Sequence, residues 1–70
     1  MSQQKEIGHY IASLRKERGL TQADMARQLK TSQSAVARIE RGEQNVSVAM
    51  LKKIGAILHR PILQLSSGAM

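Results

Sequence analysis

Few side chains in this sequence could do chemistry, and their types decide which chemistry it is. There is no cysteine. That excludes disulfides, thiolate nucleophiles and sulfur-ligated zinc, and it fits a reducing compartment. The two histidines, His9 and His59, stand far apart in the chain, and no cluster of carboxylates supports either as a metal ligand. No metal and no cofactor is therefore expected. No nucleophile–base pair and no phosphate-cradling loop is visible, so an enzyme is the weakest reading. What remains is charge. Eleven Lys and Arg against five Asp and Glu give a formal net charge of +6 in 70 residues. Such a domain is drawn to a polyanion, either nucleic acid or an anionic membrane surface. Charge alone does not choose between them; the way helices present the cations does.

The elements that must position these cations are short helices. With a single aromatic residue, Tyr10, and one proline, the core has to be built from Ile, Leu, Val, Ala and Met, which favours packed helices over strands. A chain of this length makes one small, marginally stable domain. Ile7, Ile11 and Leu14 recur at helical spacing and predict a first helix over about Gln4 to Arg18, closed by Gly19 with Leu20 packing back. Thr21 with Asp24 three residues on is a capping-box arrangement, and it opens a second helix over Gln22–Leu29 with Met25, Ala26 and Leu29 inward. Ser32 caps a third helix over about Gln33 to Arg41, stopped by Gly42. Ser47 caps a fourth over Val48–Leu58, with Val48, Leu51, Ile54, Gly55 and Leu58 inward. Pro61 starts a final short turn or helix to Leu65. Residues 66–70 read as a flexible tail or the start of a linker, which leaves one domain over residues 1–65. No apolar run is long enough to span a membrane, and the first ten residues lack the apolar stretch of a signal peptide.

The second and third helices are short and nearly abutting, a pattern in which the second of the pair is presented to the DNA major groove. On a helical wheel Val36 and Ile39 define the inner face of the third helix. Ser34, Ala37, Arg38 and Arg41 fall on the opposite side, forming a slim, polar, cationic stripe, and Gln33 stands at the helix start. Glu40 falls on the inner side, where a carboxylate needs a partner. The first helix offers Arg15 or Arg18, both read as inward. The bland alternatives are that Arg38 merely favours the helix C-terminus and that Arg27 and Lys30 form a solvated face. Met25 and Met50 read as gap-fillers in the core and Tyr10 as a cap on its edge.

The stretch GLTQADMARQLKTSQSAVARIERG, with Leu20-Thr21-Gln22, Ala26, Val36, Ile39, Glu40 and Gly42 in register, resembles the helix-turn-helix of the phage repressor/Cro family, also called the xenobiotic-response-element family. The resemblance runs from about Ile7 to Leu65. It implies an all-α, compact bundle of four or five helices that binds operator DNA, usually as a dimer. It further implies that Gln22 contacts a phosphate, that Ser32, Gln33, Ser34 and Arg38 face the bases, that Arg15 pairs with Glu40, and that Asn45 and its neighbours lie near the DNA backbone. Arg41, on the same stripe, is as well placed for a phosphate as for solvent. Lys30 and His59 stand where the family often has glycine at positive φ.

The function expected on these grounds is sequence-specific binding of double-stranded DNA by a bacterial or phage transcriptional regulator, located in the cytoplasm at the nucleoid. Two variants share the motif: an antitoxin that represses its own operon, with a toxin protein as second partner, and a DNA-binding module of a longer chain. A helical protein-interaction module that has lost DNA binding is the rival from another class. Its mark would be an apolar patch in place of the polar stripe. Ile62, Leu63 and Leu65 either close the bundle or form the seam of a weak homodimer.

Overall fold

The computed structural model describes residues 3–60. The expected turn at 61–65, the tail at 66–70 and the apolar group Ile62, Leu63 and Leu65 lie outside the described residues.

Four helices follow in order: α1 (Gln3–Glu17), α2 (Gln22–Leu29), α3 (Gln33–Glu40) and α4 (Val48–Leu58). The starts of α2, α3 and α4 are set by hydroxyl caps. Thr21 accepts from the Asp24 N–H while Asp24 accepts from the Thr21 N–H, a reciprocal capping box at the head of α2. Ser32 accepts from the Ala35 N–H and Ser47 from the Met50 N–H, so α3 and α4 begin in the same way.

All four helices end in one manner, with a left-handed residue after which the next N–H returns five residues back. Leu20 donates to Arg15, Thr31 to Ala26, Glu43 to Arg38 and Arg60 to Gly55. The left-handed residue is Gly19 after α1 and Gly42 after α3. It is Lys30 after α2 and His59 after α4, at φ 59° and 57°. These two positions therefore adopt the geometry for which the family often uses glycine, at a local cost of roughly 1–2 kcal/mol each.

Ile11, Leu14, Met25, Ala26, Leu29, Val36, Ile39, Leu51, Ile54 and Leu58 form one buried cluster to which every helix contributes. Each large aliphatic side chain there contributes about 1.5–3 kcal/mol by leaving water. Ile7, Tyr10, Leu20 and Met50 are partly buried and pack against its edge. α3 lies against both α1 and α2, and α4 closes the other side of α1 and α2. No described helix is long and apolar enough to cross a membrane.

Two inward assignments do not hold. Arg18 is exposed because α1 ends at Glu17 and the chain has already begun its turn there, so the wheel does not extend to it. Val48 is 59% exposed because it is the first residue of α4 and stands beyond the rim of the core. Likewise α3 stops one residue short of the expected Arg41, which is its C-cap at φ −84°, ψ −3°.

Candidate nucleic-acid interface

The orientation of α3 is fixed from its inner face. Val36 is wholly buried and Ile39 nearly so. Beside them the Glu40 carboxylate is enclosed, its side chain 6% exposed against 10% for Arg15. Arg15 Nε donates to Glu40 Oε2 at 2.6 Å and Nη2 to Oε1 at 3.2 Å, a two-bond fork. Arg15 Nη1 also donates to the Leu20 carbonyl at 2.8 Å, and Gln22 Nε2 donates to Glu40 Oε1 at 3.0 Å. One carboxylate on α3 thus ties α1, the turn after it and the first residue of α2. No buried side-chain polar atom among the described residues is left without a partner.

A second device works through the backbone. Gly8, buried in α1, faces the last carbonyls of α3. A Cβ added there would lie 2.4 Å from the Ile39 oxygen and 2.6 Å from the Glu40 oxygen. Gly42 is confined in the same way. It sits at φ 74°, and a Cβ there would meet the Lys5 backbone at 2.7 Å. The C-terminal half of α3 and the turn after it therefore rest directly on α1.

The opposite face of α3 is open. Ser32, Gln33, Ser34, Arg38 and Arg41 are all exposed, with the half-buried Ala37 between them. The two arginines of this stripe are not extended into solvent alone. Arg38 Nε donates to Gln44 Oε1 at 3.2 Å. Arg41 Nε and Nη2 donate to the two Glu43 oxygens at 3.0 and 3.1 Å. Those bonds hold the Glu43 carboxyl below its usual range and raise the Arg41 guanidinium. Asn45 is exposed, and its Oδ1 accepts from Gln4 Nε2 at the start of α1. Gln22 stands at the head of α2, half-buried, its amide nitrogen turned to Glu40. Asp24 is held ionised below its usual range, first by the backbone and hydroxyl bonds of Thr21 and then by Arg27, with which it forms an exposed pair. Arg27 and Lys30 are exposed.

The structure thus brings Gln33, Ser34, Arg38 and Arg41 onto one exposed face, with Asn45 on the loop that follows. Gln22, half-buried at the head of α2, is bonded into the Glu40 network. Glu43 and Gly8 were not among the residues expected from sequence to shape this face, and Gln44 was expected only as a neighbour of Asn45 near the DNA backbone. A glycine in the interior of α1 is the one signal that could have flagged Gly8, since such a residue usually has a packing reason. Nothing in the string Glu43-Gln44 distinguishes arginine partners from loop residues. Among the described residues no group of three or more His, Cys, Asp or Glu could hold a metal ion.

The geometry is that of a helix-turn-helix unit, α2 and α3, carried on a bundle with α1 and α4. The sequence model of the helix-turn-helix family matches residues 11–65. The chain belongs to this family, the Cro/C1-type DNA-binding transcription regulators. Comparison with curated proteins gave no significant match. Among solved structures, the chain is similar to the crystal structure of the clp gene regulator ClgR from Corynebacterium glutamicum, with a TM-score of 0.87 at 22% identity. That similarity covers 99% of this chain and 73% of that one, and at such low identity it speaks to the fold.

Proposed function

We propose that this domain binds double-stranded operator DNA sequence-specifically, with α3 in the major groove, as part of a bacterial or phage transcriptional regulator. The observation that carries the reading is the contrast between the two faces of α3. Val36, Ile39 and Glu40 anchor one face, while Gln33, Ser34, Arg38 and Arg41 leave the other slim, polar and cationic. In this reading Ser32, Gln33, Ser34 and Arg38 face base edges, with Arg38 suited to forking onto a guanine. Arg41, Gln22 and Asn45 contact phosphates. Gln22 reaches its phosphate from a side chain whose nitrogen is steadied by Glu40, so its position is tied to that of α3. The stripe carries no large apolar residue, which disfavours a protein-interaction module.

The test is a titration with duplex DNA over a range of salt. Because phosphate contacts release counterions, log affinity should fall linearly with log salt, by about 0.9 for each phosphate neutralised. Selection from a random duplex pool should enrich one sequence. Absence of binding at low salt, both to mixed duplex and to the selected pool, refutes the reading.

A further inference from the structure

Both arginines of the exposed stripe are engaged by the two residues that follow Gly42. Arg41 gives a two-bond fork to the Glu43 carboxylate at 3.0 and 3.1 Å, and Arg38 gives one bond to the Gln44 amide oxygen at 3.2 Å. A guanidinium fork accepts a carboxylate and a phosphate with the same geometry. The Arg41–Glu43 pair is open to solvent, its side chains 58% and 54% exposed, so a phosphate can reach it. The turn that places Glu43 is itself rigid, since Gly42 packs on the Lys5 backbone and the Glu43 N–H is bonded to the Arg38 carbonyl at 2.9 Å.

We propose that Glu43 is an internal latch on the DNA-contacting stripe, its carboxylate occupying the Arg41 guanidinium in place of a DNA phosphate. This rests on the DNA-binding reading above. To fork onto a phosphate through the same Nε/Nη2 edge, Arg41 must leave Glu43, and the freed carboxylate then stands close to the polyanion. Every duplex encounter bears this cost, whatever its sequence. Glu43 thus lowers the affinity for every duplex by about the same factor, so that phosphate contacts alone hold the domain less tightly, and leaves the ratio of specific to non-specific binding unchanged. Gln44 does the milder, uncharged equivalent for Arg38, accepting one bond from its Nε.

The test compares Glu43→Gln with Glu17→Gln, which makes the same change in net charge. Glu17 is exposed, and at 100° per residue it lies about 180° around α1 from Gly8, on the side away from α3. Binding of a labelled mixed-sequence duplex at low salt is followed by fluorescence anisotropy, in the wild-type and in an Arg41→Ala background. Glu43→Gln is expected to tighten binding about threefold to fivefold beyond Glu17→Gln, the scale of an exposed ion pair. In the Arg41→Ala background the excess of Glu43→Gln over Glu17→Gln should shrink to the repulsion that the nearer carboxylate exerts on DNA by itself. Equal effects in the wild-type background overturn the latch, and so does a Glu43→Gln gain that survives Arg41→Ala undiminished. If the unsubstituted protein binds no duplex at all, the DNA-binding reading fails and the latch fails with it.

Discussion

Arg38 and Glu40 stand two residues apart on α3 and answer to different partners. Arg38 is exposed, and among the described residues its side chain donates to the Gln44 amide oxygen. Arg38→Ala should therefore leave the thermal midpoint nearly unchanged while weakening binding to a selected site by about 1–3 kcal/mol, the worth of a good base contact. A loss that is uniform across sequences would instead assign Arg38 to a phosphate. Glu40 accepts from Arg15 through two bonds and from Gln22 through one, in a nearly closed environment. Glu40→Ala leaves the Arg15 charge buried with only the Leu20 carbonyl to face, and should destabilise the fold by roughly 3–5 kcal/mol in chemical denaturation. An unchanged denaturation midpoint would show that water replaces the carboxylate at no cost. That Glu40 needs a cation was legible from its wheel position among Val36 and Ile39. The second partner was not, because a neutral amide at a helix head gives no sign that it meets a carboxylate, and a phosphate contact was the role the family resemblance implied for Gln22.

At the scale of the elements, most boundaries could be read because hydroxyl caps and glycine stops are local signals. Thr21, Ser32 and Ser47 each begin a helix through their own side chain, and Gly19 and Gly42 each end one. Lys30 and His59 end helices too, but the need for positive φ there came from the family resemblance, since neither residue type announces it. The ion pair expected for Glu40 already joined α1 to α3, but how closely their backbones approach was not read. That closeness depends on the missing side chain of Gly8, and helical periodicity records only the side chains that are present. In an open helix Gly→Ala is stabilising by about 1 kcal/mol. Here the sign should reverse, because the new methyl would meet fixed backbone oxygens of α3 at 2.4 and 2.6 Å rather than a side chain that can turn away. Gly8→Ala is expected to lower stability by about 1–3 kcal/mol, the cost of overpacking. It should also tilt α3, weakening DNA binding even under conditions where the variant remains folded. A stabilised variant with unaltered binding would show that the two helices separate freely.

For the whole molecule, one α3 reaches only a few base pairs, and affinity gains most when two such helices sit about 34 Å apart on a symmetric site. We therefore expect a two-to-one complex on a palindromic duplex, with the seam formed by Ile62, Leu63 and Leu65 together with Met50. So few side chains bury far less than the ~1,200 Å² of a stable interface, so sedimentation of the free protein should show mostly monomer at micromolar concentration. Saturation at one-to-one on a selected site without symmetry would instead favour a module that acts within a longer chain. The bundle also separates two kinds of inheritance. Whatever holds α3 in place, from Gly8 to the Arg15–Glu40–Gln22 network, acts on its inner face or its backbone, and the exposed positions 33, 34, 38 and 41 take no part in the core. If α3 reads DNA as proposed, descendants of this domain can exchange the outer residues one at a time and change the sequence that is read while the scaffold is handed down unaltered.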